Sequence, residues 1–363
     1  MKKVFLLGAG SMLCMGGPST KTLNDLAKGV VCKHGYSDII TALDSTFGNT
    51  EYNFETIIAS IEYLLDWAIG NNVTGTIDDK NLISIIFSPI YDITNKVESL
   101  KDCYLELINS IVDIIKDYSF FNKENNNHKL LKTFIRNQLS ISSLKIYSLN
   151  YDHLITDMFP DHVFDGTSNV SHNSLVDRKF NYDLCKFVNS NFTHFNIHGS
   201  IYLKQEPSLS YEVVQSPFCQ HINYILFQKG GLPNDRKVFS PIIAGYSKSQ
   251  RLMGNPFNFG LTSFAEDCNS CDELVIVGYS FSDPQINSIV KYFANKHGRL
   301  ITIVDFDKNS DTKRIEDVLA YRLNCISEFK EHNAGSYSKD DNIQIYAKGF
   351  VQYLKNSINN DTH

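Results

Sequence analysis

The sequence predicts an α/β fold: a parallel sheet wound on both faces by helices. Three observations predict it. Short, near-continuous apolar runs recur along the chain, as strands buried on both faces require. Stretches with a helical apolar period lie between them. Glycine or polar residues follow the runs directly, where open parallel sheets place their ligands.

The elements follow in order. Lys3–Leu7 is apolar and bounded by Gly8, which reads as a buried strand. The same opening letters resemble a secretory leader, two lysines before an apolar run. Met12 and Leu13 before Cys14 make a poor cleavage site, so the strand reading is preferred. Thr20 to Val31 reads as a helix, with Leu23, Leu26, Ala27 and Val30 on one stripe and Ser19 or Thr20 as its cap. From Phe54 to Leu139 the period is helical, carried by Ile57, Ile58, Ile61, Leu64 and Leu65, and by Leu105, Ile108, Ile111, Ile114 and Ile115. The polar run 122–128, NKENNNH, reads as a loop within it.

Strand patterns resume at Ser143–Ser148, His162–Phe164 and Phe192–Ile197. Residues 200–260 are mixed and irregular. The run 273–280 is a strand ending near Gly278, Asp283 to Asn295 a helix, and 300–307 a further strand with an acidic end. The reading is a Rossmann-like doubly wound parallel sheet with a helical insertion subdomain. Residues 1–50 and 140–335 form the sheet domain, 51–139 the insertion, and 336–363 a polar C-terminal tail.

Composition bounds the function. The chain has 363 residues, 42% of them hydrophobic and 20% charged, with a net charge of −6. That balance gives no electrostatic footprint for nucleic acid or an anionic membrane surface. No apolar stretch is long enough to span a bilayer. The 8 cysteines are scattered, which suggests free thiols in a reducing, cytoplasmic setting.

The chemistry collects at strand ends: Gly8-Ala9-Gly10, Asn150-Tyr151-Asp152, His198-Gly199, Gly278-Tyr279-Ser280 and Asp305. Glycines at 8 and 10 allow a tight turn and close approach to a pyrophosphate. The ordinary dinucleotide fingerprint fails, because Leu13 stands where its third glycine belongs. Read without any relative, Asn150 could be a turn residue, Asp152 a helix cap and His198 a buried strand-end histidine.

Gly8-Ala9-Gly10, then Ser11 to Met15, then Gly16-Gly17-Pro18 resemble the glycine loop of the sirtuins, with the same spacing. Asn150-Tyr151-Asp152, His198-Gly199 and Gly278-Tyr279-Ser280 resemble further sirtuin elements, in the same order. The runs NYDHLI, NIHGSIY and GYSFSDPQIN look like the sirtuin-like NAD-hydrolysing proteins of bacterial antiphage defence. The resemblance covers residues 1 to about 307, interrupted by the helical stretch.

The resemblance implies an NAD⁺ glycohydrolase that releases nicotinamide and ADP-ribose. Asn150 would hold the nicotinamide ribose and the attacking water, and Asp152 would orient the nicotinamide amide. His198 would be the general base. The NAD⁺ contacts implied are Gly8, Ala9, Gly10, Ser11, Met12, Gly16, Pro18, Thr20, Ser148 and Tyr151, with Gly278, Tyr279, Ser280, Asp283 and Asp305. Ser280 and Asp305 would meet the adenosine half; Tyr279 and Phe281 would give shape and stacking.

The chain also departs from the sirtuin deacylases. Ser19-Thr20-Lys21 follows Pro18 where they carry Asp-Phe-Arg. Cys268-x-x-Cys271 has no second pair to complete their zinc site, and Cys32-x-His34 and Cys219-x-His221 are weak substitutes. No metal is expected, and deacylation or ADP-ribosyl transfer becomes the lesser alternative, beside an NAD or ADP-ribose sensor without turnover. An unrestrained NAD⁺ hydrolase harms its host, so gating by assembly is expected. Its form would be a homo-oligomer or a separately encoded partner, such as a HerA-type ATPase or an Argonaute. The segment 54–139 is the candidate contact surface.

Overall fold

The computed structural model describes residues 1–47, 52–68, 97–169, 176–180, 189–205, 211–214, 242–245, 248–294, 299–305, 330–332, 336–339, 343–346 and 348–360. The apolar run at the start is β1 (Lys2–Leu7). It lies inside the sheet, paired in parallel with β2 (Ser143–Ser148) on one side and β8 (Glu273–Val277) on the other. It is thus a structural strand of the folded chain. Val4, Phe5, Leu6 and Leu7 are all buried, because helices cover both faces.

The main sheet has 8 strands. Beyond β2 lies β5 (Phe192–Asn196); beyond β8 lie β9 (Leu300–Val304) and β12 (Ile343–Tyr346), all parallel. Numbered along the chain, these parallel strands stand in the order 3-2-1-4-5-6, the doubly wound dinucleotide-binding topology. The chain leaves β1 to build one half and returns beside it at β8 to build the other. The crevice between the carboxyl ends of β1 and β8 is therefore the switch point.

Side-chain alternation fixes which helix covers which face. Phe5 packs edge-on against Phe134 of α6 (Asn126–Ile141), with ring centroids 5.7 Å apart. Tyr147 stands opposite Leu6, on the other face, and packs on Phe264 of α9 (Phe257–Ser270) at 5.1 Å. Between β1 and α6 come α1 (Ala9–Leu13), α2 (Thr20–Lys33), α3 (Ser37–Phe47), α4 (Phe54–Ala68) and α5 (Val97–Lys116). Ile57, Ile61, Leu107 and Ile111 are fully buried, in one hydrophobic cluster with Val4 and Leu6. The helices between β1 and β2 thus share the core of the sheet.

Several expectations change. Residues 336–360 are no polar tail. β11 (Ser336–Lys339) pairs antiparallel with β12, β12 pairs with β9, and α11 (Gly349–Asn360) packs on α6. The polar run 122–128 is only partly loop: Asn125 caps α6 by accepting from the backbone of Asn127 and His128. His162–Phe164 forms a single bridge, Phe164 to Thr193, and no strand. Within the irregular 200–260 region, β6 (Leu203–Gln205) and β7 (Tyr211–Val214) join β3 (Thr167–Asn169) and β4 (Val176–Phe180) in a second, antiparallel sheet. His172, His221, Cys185, Cys219 and Cys325 lie outside the described residues.

Leu354 tests the C-terminal correction, since it is fully buried on α11. Leu354→Ala is expected to cost about 2–5 kcal/mol in urea unfolding. A loss below half a kcal/mol would mean that the C-terminal helix frays.

Candidate functional site

At the switch point two turns touch through their backbones. Gly8 N–H donates to Val277 O (2.8 Å) and Gly10 N–H to Gly278 O (2.9 Å). A Cβ on Gly8 would stand 2.5 Å from Gly278 O, and one on Gly10 2.8 Å from Gly278 Cα. Gly278 itself has φ +56°, and a Cβ there would strike Ser11 N and Gly10 C. Only glycine satisfies both the conformation and the approach.

Asn150 follows β2 and reaches this turn. Its amide Nδ2 donates to Gly8 O (3.1 Å) and Ser11 Oγ (3.3 Å). Ser11 Oγ donates in turn to Gly8 O (2.7 Å), so it is free to accept from Asn150. A backbone carbonyl only accepts, so the Asn150 NH₂ must face the loop. That leaves the carbonyl Oδ1 as the acceptor that Asn150 can offer a ligand. Ser148 Oγ accepts from Asn150 N–H (3.1 Å), and Asn196 Nδ2 donates to the carbonyls of Asn150 (2.8 Å) and Asp152 (2.9 Å). The turn 150–152 is clamped from β2 and β5 together.

A cleft of about 230 Å³ opens over these turns. Its lining takes Gly8, Ala9, Gly10, Met12, Pro18 and Thr20, with Asn150, Tyr151 and His198, and with Gly278, Tyr279, Ser280 and Asp283. The geometry thus brings most of the sequence-derived candidates to one place. Five stand outside the lining. Ser11 and Ser148 are buried beneath it, supporting Asn150. Gly16, at φ +98°, shapes the loop from behind. Asp152 is buried, its Oδ1 accepting from Leu154 N–H at 3.1 Å, which is the local capping role. Asp305 directly follows β9 and is not among the described residues lining the cleft; its N–H donates to Tyr346 O and its carbonyl accepts from Gly349 N–H.

Residues outside the sequence reading complete the walls. Glu55 on α4, Tyr118 after α5 and Lys248 on α8 (Lys248–Leu252) all line the cleft. The segment between β1 and β2 also grips the glycine loop from outside. Asn127 Nδ2 donates to Cys14 O (2.6 Å), and His128 Nε2 lies 3.0 Å from Met15 O. No local pattern marks these residues; only the fold collects them.

The electrostatics divide the titratable groups. His198 Nε2 lies 3.1 Å from Asp283 Oδ2, within pairing distance. Burial, helped by the Lys248 ammonium, lowers the His198 midpoint below its ordinary value, against the pull of Asp283 and Glu55. The ring is therefore neutral and able to accept a proton at neutral pH. Burial pushes the Asp283 carboxyl up, but His198 and Lys248 outweigh it, and the group stays ionised well below the usual range. Asp152 has no such partner. Burial pushes it up to about 6, against the backbone N–H groups and the Tyr118 hydroxyl that pull it down.

Other buried polar groups are structural. His194 is buried, donating to or accepting from Thr156 Oγ1 at 2.8 Å, and burial pushes it down to about 3. Cys268 and Cys271 are buried free thiols, and among the described residues no group of His, Cys, Asp or Glu side chains is arrayed for a metal. Among those residues, too, no helix is long and apolar enough to cross a membrane.

No family model and no curated protein matches this chain. Among solved structures it is similar to a crystal structure of a Sir2 homolog–NAD complex. The match has a TM-score of 0.43 and 11% sequence identity, and covers 99% of this chain and 89% of that one.

The buried acid gives a pH test. Its folded midpoint is about 6, above the ordinary 3.8, so the fold favours the protonated form. The stability it contributes is present below about pH 4 and lost as pH rises through 6. Asp152→Asn is therefore expected to leave stability unchanged near pH 4 and to raise it above pH 7, on the order of 2 kcal/mol. Urea unfolding of both proteins across this range measures the difference. A variant less stable at pH 8 than at pH 4, relative to wild type, would reverse the assignment.

Proposed function

We propose that this chain is an NAD⁺ glycohydrolase, cleaving NAD⁺ to nicotinamide and ADP-ribose. One observation carries the reading. Asn150 is locked by its own amide hydrogens to the glycine turn, and it shares a cleft at the switch point with a neutral, buried histidine. Doubly wound sheets bind dinucleotides at that crevice. Gly8, Ala9 and Gly10 line the cleft at that crevice, and a glycine turn there lets a pyrophosphate approach the backbone closely.

The chemistry asks little of an acid. The nicotinamide of NAD⁺ is already a pyridinium. When the C1′–N bond breaks, its electron pair returns to the ring nitrogen and nicotinamide leaves neutral. The site must steady a ribose with oxocarbenium character and deliver water to C1′, as in glycoside hydrolysis without the acid half. In this reading Asn150 Oδ1 accepts a hydrogen bond from that water. His198 takes the released proton, directly or through a ribose hydroxyl. Asp152, beside the Tyr118 hydroxyl at the cleft, is the carboxyl offered to an amide N–H of the nicotinamide. Ser280 and Ser282 pair at 2.9 Å on the exposed rim and offer hydroxyls to the distal half of the substrate.

Such an enzyme acts where NAD⁺ is abundant, and the scattered free thiols suit a reducing compartment. A defence role by NAD⁺ depletion, with activity gated by self-assembly or by a separate partner, follows from the same reading.

Purified protein incubated with NAD⁺, with and without an acetylated peptide, tests it by chromatography of released nicotinamide. Release is expected without the peptide. Asn150→Ala and His198→Ala are each expected to lower it at least about 10²-fold with the fold intact by circular dichroism. Release only with the peptide would make the chain a deacylase. No release from the protein in any assembly state would contradict the proposal.

A further inference from the structure

His198 does not stand alone in the cleft. A chain of charged groups leads away from it, and none of its links is explained by a fold that merely needs to close. Asp283 divides its two oxygens. Oδ1 caps α10 (Pro284–Ala294), accepting from Gln285 N–H (3.0 Å) and Ile286 N–H (3.3 Å). Oδ2 turns the other way, 3.1 Å from His198 Nε2 and 3.4 Å from Lys248 Nζ. Lys248 Nζ also lies 3.0 Å from Glu55 Oε2, and Glu55 Oε1 accepts from the Tyr151 hydroxyl at 3.2 Å. The side chains of His198 and Asp283 are only 5% and 8% exposed, so water screens the pair poorly.

The carboxylate is also held in place. The Tyr279 hydroxyl accepts from Asp283 N–H (3.1 Å) and donates to Asn287 Oδ1 (2.8 Å). Asn287 Nδ2 donates to Phe281 O (2.8 Å). Phe281 takes φ +56°, a conformation unfavourable for a bulky residue, which lets the loop fold back onto Tyr279. A strained turn braced on both sides is how a protein fixes a group at a functional site.

We propose that Asp283 is the positioning residue for His198, and that Lys248, bridging Asp283 to Glu55 of α4, sets how strong a base that histidine is. The inference rests on the proposed NAD⁺ hydrolysis for its catalytic meaning, though not for its electrostatics. When His198 accepts a proton it becomes an imidazolium in a buried site. Asp283 stabilises that charge and keeps the ring aimed. Lys248 opposes it. The groups facing His198 are Asp283 ahead of α10, Lys248 on α8 and Glu55 on α4. Glu55 comes from the segment between β1 and β2, so a shift of α4 would release Lys248 toward Asp283 alone and change the base. The same segment holds the glycine loop through Asn127 and His128. Contact on this segment could thereby reach both halves of the cleft.

The test uses substitutions of opposite sign. Asp283→Asn keeps the helix cap, because asparagine caps as well as aspartate, and removes only the charge. Lys248→Met keeps the length of the side chain and removes the ammonium; Lys248→Gln serves if the methionine form folds poorly. The His198 midpoint is read by NMR on full-length, histidine-labelled protein, its signal assigned by its loss in His198→Ala. It is expected to fall by roughly one pH unit in Asp283→Asn and to rise by roughly one unit in Lys248→Met. The acid limb of kcat/KM for NAD⁺ hydrolysis is expected to move with it, and kcat to fall at least tenfold in Asp283→Asn.

Midpoints that stay fixed, or move in the same direction in both variants, overturn the inference. Midpoints that move apart while the pH–rate limbs do not also overturn it, because the pair would then be structural. Midpoints that move apart in a protein whose wild type releases no nicotinamide would support the electrostatic pairing and overturn the hydrolysis reading.

Discussion

The contact between the Gly8–Gly10 turn and Gly278 is the constraint on which the rest of the structure depends. Two parallel strands can carry their following turns into mutual backbone contact only if neither turn bears a side chain at the crossing. Three glycines meet that condition here, and the hydrogen bonds from Gly8 and Gly10 to the carbonyls of Val277 and Gly278 fasten the crossing. The carbonyl of Gly8 is then directed toward β2, where it receives the amide of Asn150. The Asn150 side chain is thus positioned by the same backbone that joins the two halves of the sheet.

Around that crossing the cleft separates two kinds of polar group. Asn150, Ser11 and Ser148 are neutral and buried, and with the half-buried Asn196 they form a hydrogen-bonded network that costs little because its donors find acceptors. His198, Asp283, Lys248 and Glu55 are the charged counterpart on the other side, where two carboxylates hold one ammonium and one neutral imidazole. Asp152 belongs to neither. It is a buried carboxyl without an opposite charge, and it answers by favouring its protonated form.

The sequence made the central strands legible because burial on both faces leaves no polar positions in them. The runs VFLL and ELVIV could be little else once glycine and polar residues followed them. The turns after β1, β2, β5 and β8 were legible for the same reason: polar residues immediately after a buried run must be either caps or site. What escaped has physical causes. β12 carries the alternating IQIY, with burial on every second residue, and it sits in a polar stretch where a short strand has no local signature. β6 and β7 are three and four residues long and form only by pairing with distant partners. Glu55 and Lys248 are ordinary surface residues by sequence, 193 positions apart, and only tertiary folding makes them a pair. Asp305 does follow a strand, as the acidic end of its apolar run implies, and its backbone is taken up by β12 and the start of α11.

The account stands or falls on where NAD⁺ lies. A crystal structure of the Asn150→Ala protein with NAD⁺ measures this directly, since the substitution removes the side chain proposed to hold the water while the Gly8 and Gly10 bonds to Val277 and Gly278 remain. The expected density places the pyrophosphate against the backbone of residues 8–10 and the nicotinamide ribose between position 150 and His198. NAD⁺ bound elsewhere on the sheet, or no binding at millimolar concentration, would contradict the account.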